Sequence, residues 1–342
     1  MPAHLVDRRP HLDQGELVAS MVPPARFDDV RFTTYRPDPA EPSQAEAVTA
    51  AEKFAEQINA RRPAKRGLFG RKAPAPGAGL YFDGGFGVGK THLLASLWHA
   101  VDGPKSYGTF VELTHLVGAL GFAATVERLS SHRLLAIDEF ELDDPGDTMV
   151  VSRLLSELTA SGVSVAATSN TLPGQLGEGR FAADDFLREI QAMARRFSVV
   201  RIDGPDFRHR DLPDAPAPVS AEELAEAADA VDGATLDDFD EVCAHLATLH
   251  PSRYGALVQD LPAVFLRGVH AANDQSMALR LVVFADRLYD ADVPVTVSGS
   301  PLDAVFTEEM LAGGYRKKYL RATSRLIALS RFEGAREPGV AR

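Results

Sequence analysis

The sequence has almost no cysteine, no long apolar run and no cluster of metal-binding side chains. Cys243 is the single cysteine among 342 residues, which excludes an internal disulfide and fits a reducing compartment. No stretch approaches the roughly 18 uncharged apolar residues of a membrane span, and the N-terminus lacks the apolar core of a signal peptide. No His and Cys spacing suits zinc, so we expect no proteolytic activity. We therefore expect a cytoplasmic protein without a transmembrane segment, whose membrane contact would be peripheral.

Positive charge is also scarce. The formal net charge is −12, which argues against a protein that mainly coats nucleic acid. Residues 211–252 hold eleven Asp and Glu and no Lys or Arg, and we interpret them as a solvated face, with a docking surface for a basic partner as the alternative. Six basic residues instead collect among prolines and glycines in residues 59–79. That loop is either a solvated linker or a contact for phosphate or a partner.

The order of apolar segments predicts two α/β modules. An N-terminal extended segment and a helix (1–58) precede the basic loop (59–79). Residues 80–210 alternate short apolar strands with helices, which is typical of a parallel sheet covered on both faces. A proline-rich linker (211–220) then leads to a smaller C-terminal module (221–335), in which acid-rich helices and strands precede a basic final helix.

A glycine-rich loop between a strand and a helix carries the first chemical signal. The segment GGFGVGKTH matches the phosphate-loop pattern G-x4-G-K-T at every fixed position. We expect its backbone N–H groups to wrap phosphates at the positive end of the helix. Lys90 is predicted to reach the β- and γ-phosphates, and the Thr91 hydroxyl to hold Mg²⁺. The predicted nucleotide-binding residues are Gly84, Gly85, Phe86, Gly87, Val88, Gly89, Lys90, Thr91 and His92, of which His92 is expected mainly to pack on the helix.

Two acids and an amide at the ends of later strands complete this signal. The strand LLAIDEF ends in Asp138 and Glu139, 48 residues after Lys90. In P-loop proteins the first acid holds magnesium through water, and a second acid can deprotonate the attacking water, so Glu139 is the predicted general base. Asn170 follows the next strand and is predicted to hold that water near the γ-phosphate, the sensor position of AAA+ ATPases. The acid pair favours NTP hydrolysis over a switch GTPase or a metabolic kinase.

Together these motifs resemble the ZapE-type (AFG-one-like) ATPases of the AAA+ class. The resemblance covers most of residues 20 to 330 and is carried by GLYFDGGFGVGKTHLL, LLAIDEFELDDPGDTMVVSRLLSEL, GVSVAATSNTLPGQL and VVRIDGPDFRHR. It implies an α/β fold with a P-loop AAA+ core and parallel sheet, plus a smaller atypical C-terminal α/β module. It also implies ATP and Mg²⁺ as cofactors and assembly into a homo-oligomer. Members of this family are linked to bacterial cell division and to mitochondrial protein quality control.

The resemblance further implies an arginine, supplied by a neighbouring subunit, that neutralises charge in the transition state. The chain departs from the family pattern here, because AADDFLREI has acids where an arginine is expected before Phe-Leu. The candidates are Arg180, Arg188, Arg195 and Arg196. We favour Arg195 and Arg196, which directly precede a strand. Arg321 and Arg325 share a helix face in YLRATSRL, and Arg325 is the predicted second sensor.

The segment before the phosphate loop carries two further predictions. AAA+ proteins bind the base with this part of the chain, so RFDDVRF and Gln44 are candidates for the adenine pocket. Ser43 and Glu46, three residues apart behind Pro42, predict a capping box at the start of the N-terminal helix.

The function we expect is Mg-dependent ATP hydrolysis coupled to remodelling or movement of a protein partner, in cell division or membrane protein quality control. A DNA-associated, helicase-loader-like ATPase is an alternative, because GVGKTHLL also resembles helicase loaders and residues 61–72 and 316–321 are basic. The acidic net charge and the lack of a helix-turn-helix after the core count against it. A nucleotide-gated scaffold with little turnover is the third hypothesis.

Overall fold

The computed structural model divides the chain into two compact units. It describes residues 2–10, 14–61, 75–85, 87–141, 145–173, 176, 191–192, 194–204 and 215–330. The larger unit comprises the described residues of 13–207, and the second unit comprises those of 1–12 and 208–342. The predictions for Phe86, Arg180 and Arg188 lie outside the described residues.

A parallel sheet of five strands forms the middle of the larger unit. Its strands are β1 (Gly79–Gly84), β2 (Lys105–Thr109), β3 (Leu134–Asp138), β4 (Ser164–Ser169) and β5 (Phe197–Ile202). They lie in the order β2-β3-β4-β1-β5, and each neighbouring pair is parallel. Strands β1, β3 and β4 are buried along their whole length, as expected for apolar strands with helices on both faces. The predicted α/β core is confirmed, and the strands all end at one edge of the sheet.

Helices cover both faces of this sheet. They are α1 (Gln14–Ala19), α2 (Pro42–Ala60), α3 (Lys90–Ala100), α4 (Phe110–Leu120), α5 (Phe122–Leu129) and α6 (Pro145–Ala160). On β1, Leu80 and Phe82 point into the apolar core beneath α2 and α3, whereas Tyr81 points into the core beneath α4 and α6. Within the ranges described above, no single helix is both long and apolar enough to cross a membrane, although α4 and α5, bent by 116° at their junction, meet the length and composition criteria as a pair.

The start of α2 differs from the prediction. The helix begins at Pro42 behind Glu41, whose side chain makes no capping hydrogen bond. Ser43 lies inside the first turn, and its hydroxyl accepts a hydrogen bond from the Asp203 N–H group at 2.9 Å. The predicted capping box was therefore wrong, because the Ser43 hydroxyl binds the backbone beyond the end of β5 instead of capping the helix. Pro42 suits the first helical position, where an N–H group would have no intrahelical acceptor.

The second unit has a parallel sheet of its own, in the order β6-β7-β8. The strands are β6 (Thr235–Asp238), β7 (Val264–Val269) and β8 (Val295–Gly299). The helices are α7 (Ala221–Asp229), α8 (Phe239–Thr248), α9 (Tyr254–Val258), α10 (Gln275–Asp290), α11 (Glu308–Ala312) and α12 (Arg316–Ser330). The sequence pattern did not reveal β6, because Asp238 ends the strand and caps α8 at once, so that the two elements look like one helix.

Residues 2–10 belong to this second unit. Ala3 forms a parallel bridge with Thr235, and its backbone donates to Ala234 at 2.9 Å and accepts from Leu236 at 3.0 Å. Leu5 is fully buried in the apolar core of the unit. The N–H group of Leu5 donates to Asp237 Oδ2 at 2.8 Å. The N-terminal residues thus extend the sheet at the edge formed by β6.

Candidate active site

The predicted phosphate loop connects β1 to α3 at the edge where the strands end. Gly84 is the last residue of β1, and a Cβ atom there would lie 2.3 Å from the carbonyl oxygen of Ile202. Gly87 and Gly89 have φ angles of 73° and 85°, in the left-handed region that favours glycine. A Cβ atom on Gly89 would also lie 2.4 Å from the Tyr35 ring. The loop therefore needs its glycines, and it ends at a helix N-terminus, which is a site for anions.

The segment before α2 holds the outer side of this loop. The Tyr35 hydroxyl donates to the Val88 carbonyl oxygen at 2.7 Å. Burial raises the pKa of Tyr35 to about 12, so the hydroxyl is a donor at neutral pH. His92 Nε2 lies 2.9 Å from Thr34 Oγ1, and the His92 ring packs edge-on against Tyr35 with centroids 5.5 Å apart. His92 thus packs against the preceding segment, and its contact with a nucleotide stays a prediction.

Lys90 and Asn170 meet directly. Lys90 Nζ donates to Asn170 Oδ1 at 2.7 Å and to the carbonyl oxygens of Gly84 and Gly85 at 2.9 and 2.5 Å. Asn170 is adjacent to Lys90 because β4, which it follows, pairs with β1 in the sheet. The structure therefore brings the predicted phosphate-binding lysine and the predicted sensor to one place.

Asp138 lies at the end of β3 and is almost completely buried. Its Oδ1 accepts hydrogen bonds from Thr168 Oγ1, from Thr91 Oγ1 at 3.3 Å and from the Glu139 N–H group at 3.1 Å. Its Oδ2 accepts from the Tyr107 hydroxyl at 3.0 Å. Burial and then the neighbouring Glu139 carboxylate raise the pKa of Asp138, whereas the three hydroxyl donors lower it. Both carboxylate oxygens are held, and one of them faces the predicted magnesium ligand Thr91.

Glu139 has a left-handed backbone with φ of 53°, which is rare for a residue with a side chain. Its N–H group donates to Thr168 Oγ1 at 3.0 Å, and the next N–H group, of Phe140, donates to the Thr168 carbonyl oxygen at 2.7 Å. Thr168 therefore binds the backbone on both sides of Glu139. Such strain costs about 1–3 kcal/mol and tends to occur at functional sites. The geometry favours a functional role for Glu139.

Three residues of this site were missing from the sequence analysis. Thr168 and Tyr107 bind Asp138, and Tyr35 binds the loop. Thr168 could have been found, because it lies two residues before Asn170 on the strand beside β3. Tyr107 lies opposite Ala136 in the register of β2 and β3, two residues before Asp138. Hydroxyl side chains near the ends of neighbouring strands are the signal for both.

Arg195 and Arg196 precede β5 at the amino-terminal end of the strands, the end of the sheet that lies away from the phosphate loop. The register pairs Gly79 with Phe197 at the start of β1 and β5, so these arginines lie about 20 Å from the loop along a six-residue strand. Arg196 donates to Ser156 Oγ at 2.9 Å, on α6. Arg195 is exposed, and its side chain forms no hydrogen bond or ion pair within the described part of the chain. A role for either in a neighbour's site stays a prediction.

Two other predicted residues are held by charged or polar partners. In the second unit, Arg325 and Arg321 both pair with the buried Asp286 of α10, Arg321 at 2.7 Å, so they share a helix face as predicted. The role of Arg325 as a second sensor stays a prediction. In the larger unit, Gln44 accepts from the Asp38 N–H group at 2.8 Å and donates to the Asp203 carbonyl oxygen at 2.9 Å. Whether Gln44 lines an adenine pocket likewise stays a prediction.

The fold and the site together define a class. A five-stranded parallel sheet carries a G-x4-G-K-T loop at its carboxyl edge, with an Asp-Glu pair and an Asn on the neighbouring strand ends. These features define a P-loop nucleotide-binding core of the AAA+ type. Comparison with known proteins gives the family: the model of the AFG1-like ATPase family matches residues 16–231 and 220–336. The chain belongs to the AFG1-like ATPase family.

Individual relatives are more distant. The chain is similar to cell division protein ZapE of Escherichia coli K12, with 32% identity over 197 residues, 50% of this chain and 52% of that protein. It is also similar to lactation elevated protein 1 homolog B of Danio rerio, with 25% identity over 299 residues, 70% and 59% of the two chains. Domain III of the Thermotoga maritima replication initiation protein DnaA is similar with a TM-score of 0.40 and 21% identity, covering 52% of this chain and 69% of that one. The chain spans about half the length of the curated relatives it matches.

Proposed function

We propose that the chain hydrolyses ATP in a Mg²⁺-dependent reaction and uses the energy to remodel or move a protein partner. The observation that carries this proposal is the contact of Lys90 Nζ with Asn170 Oδ1 at 2.7 Å, beside the contact of Thr91 with Asp138 at 3.3 Å. Three motifs far apart in the sequence thus meet at one edge of the sheet. Membership of an ATPase family supports the same reaction.

Thr91 and Asp138 are the residues that would hold Mg²⁺. Their hydroxyl and carboxylate oxygens are the hard ligands that this ion prefers, and they lie side by side. When bound, the ion neutralises charge on the β- and γ-phosphate oxygens. Lys90 binds the same phosphates, Asn170 orients the attacking water, and Glu139 accepts a proton from that water.

The remaining parts of the proposal concern assembly and partners. Because Arg195 and Arg196 lie at the sheet edge away from the loop, either would serve a neighbouring copy, which supports a homo-oligomer. A relative named for cell division supports a protein partner in that process. Membrane protein quality control is the other process that we propose.

Glu139→Gln tests the hydrolytic step. The amide keeps the shape of the side chain but takes up no proton, so kcat should fall by about 10²- to 10⁴-fold while ATP binding is retained. Glu127→Gln is the matched control, because Glu127 is an exposed residue of α5 in the same unit. Phosphate release and binding of a fluorescent ATP analogue give the two readouts. Equal, measurable turnover in Glu139→Gln would contradict the role of Glu139 as general base, and nucleotide binding with hardly any turnover in the wild type would leave the nucleotide-gated scaffold as the better account.

The partner is tested with the same variant. With ATP bound and little turnover, Glu139→Gln should retain protein partners that the wild type releases. Single-stranded DNA is the competing ligand and is measured over a salt series, since binding to phosphates weakens with salt. Tight, salt-sensitive DNA binding with no retained protein would contradict the proposed kind of partner.

A further inference from the structure

Tyr107 makes a contact that the reaction scheme above does not use. It lies on β2, next to β3 in the sheet, and only 3% of its surface is exposed. Its ring belongs to the apolar core beneath α2 and α3. Its hydroxyl donates to Asp138 Oδ2 at 3.0 Å. A buried tyrosine hydroxyl thus hydrogen-bonds to the carboxylate that we propose as a magnesium ligand.

The other oxygen of this carboxylate is held from a different direction. Thr91, Thr168 and the Glu139 N–H group all donate to Oδ1. A carboxylate has about four acceptor positions and a broad preference in its last torsion angle, so donors on both oxygens define its plane more closely than donors on one. With Tyr107 on Oδ2, the Oδ1 atom is the one directed at Thr91. The tyrosine therefore helps to fix the plane of the carboxylate, and with it the direction of the oxygen that lies beside the hydroxyl of the phosphate loop.

We propose that Tyr107 is a positioning residue for the magnesium site, which acts by fixing the orientation of the Asp138 carboxylate. This inference rests on the proposed function. Residues that hydrogen-bond a metal ligand orient it, and their loss commonly lowers metal affinity by about 10- to 100-fold. Tyr107 is hydrogen-bonded to Asp138, so its effect should appear in the Mg²⁺ dependence.

Tyr107→Phe removes the hydroxyl and keeps the ring. We expect the Mg²⁺ concentration for half-maximal ATP hydrolysis, and for tight binding of a fluorescent ATP analogue, to rise by about 10- to 100-fold. Binding of the analogue in EDTA should stay within about twofold of the wild type, and saturating Mg²⁺ should restore most of kcat. The matched control is Tyr254→Phe, because Tyr254 is a fully buried tyrosine of the second unit whose hydroxyl donates to the Leu246 carbonyl oxygen at 2.8 Å. That variant should keep the wild-type Mg²⁺ dependence.

Thermal unfolding with ATP in EDTA and with ATP plus Mg²⁺ is the second measurement. In Tyr107→Phe, we expect ATP in EDTA to raise the melting temperature by as much as it does in the wild type. The further rise that Mg²⁺ causes should need a higher Mg²⁺ concentration in this variant. If Tyr107→Phe has the same Mg²⁺ dependence as the wild type, the inference is wrong but the proposed function is unaffected. The same holds if nucleotide binding is weakened as much in EDTA as with Mg²⁺, because that result indicates a structural role for Tyr107. A wild-type chain that binds no nucleotide would instead overturn the proposed function and this inference with it.

Discussion

Thr168 and Thr235 are both buried threonines, and we expect substitution by valine to lower the stability of the fold at Thr168 but not at Thr235. Thr168 is 2% exposed, and its hydroxyl donates to Asp138 and accepts from the Glu139 N–H group. Thr235 is 0% exposed, yet its hydroxyl has no hydrogen-bond partner in the part of the chain that the structure describes. Valine has nearly the shape of threonine, with a methyl group in place of the hydroxyl.

The expected magnitudes follow from these contacts. A hydrogen bond to a charged group contributes about 1.5–3 kcal/mol. In Thr168→Val the Glu139 N–H group still has Asp138 Oδ1 as an acceptor at 3.1 Å, so no amide is left unpaired. We therefore expect a loss of about 2 kcal/mol in the free energy of unfolding. Because Thr168 also holds the left-handed backbone of Glu139, kcat should fall by about 10- to 100-fold. Thr235→Val removes an unpaired polar group and should leave stability unchanged or raise it by up to about 1 kcal/mol.

Urea denaturation separates the two outcomes. Trp98 is the single tryptophan and belongs to α3, so its fluorescence reports the larger unit, while circular dichroism reports both units. Thr168→Val should shift the fluorescence transition to lower urea and slow phosphate release. Equal destabilisation by the two substitutions, or a wild-type kcat in Thr168→Val, would refute the assignment of Thr168 to the site.

Two further predictions concern the loop and the second unit. Gly89→Ala should abolish nucleotide binding and lower the free energy of unfolding by about 2 kcal/mol or more, because the φ angle of Gly89 is 85° and a Cβ atom there would meet the Tyr35 ring. The control is Gly85→Ala, where a Cβ atom has open space around it. It should cost about 0.5 kcal/mol or less in urea denaturation. Hydrogen bonds to the Ala271 carbonyl and to Asp240 raise the pKa of His270. The protonated imidazole therefore stabilises the folded state fully below pH about 6.5, and this stabilisation is lost as the pH rises through the raised pKa. His270→Asn should therefore lower the free energy of unfolding more at pH 5.5 than at pH 9. The difference should be no more than about 0.5 kcal/mol, because the ion pair is exposed to solvent. A larger loss at pH 9 than at pH 5.5 would contradict the ion pair.

The meeting of Lys90, Asp138 and Asn170 could be predicted from sequence because each is adjacent to an apolar strand of a parallel sheet. The carboxyl ends of such strands share an edge, so Thr91 and Asp138, 47 positions apart, and Lys90 and Asn170, 80 positions apart, become neighbours. The strand pattern, the motif and the usual order of strands in such sheets were enough for this. The loop glycines were also predictable, since Gly84 and Gly89 occupy positions where a side chain would clash.

The supporting residues could not be derived in the same way. Tyr107 and Thr168 carry only the weak signal of a hydroxyl near the end of a strand, and their partners are defined by the register of the sheet, which the sequence does not contain. Ser43 has the local pattern of a helix cap, but the contact with Asp203 took precedence over it. The docking of Leu5 depends on Asp237, more than 200 residues away, which local propensity cannot reveal.

The central claim is that Lys90, Asp138, Glu139 and Asn170 form one ATP-hydrolysing site. Phosphate release from ATP by the wild type and by Glu139→Gln, measured with Mg²⁺ at equal nucleotide occupancy, tests it most directly. We predict Mg²⁺-dependent turnover in the wild type and a kcat about 10²- to 10⁴-fold lower in the variant. Equal turnover in the two proteins, or no turnover in the wild type, would contradict the claim.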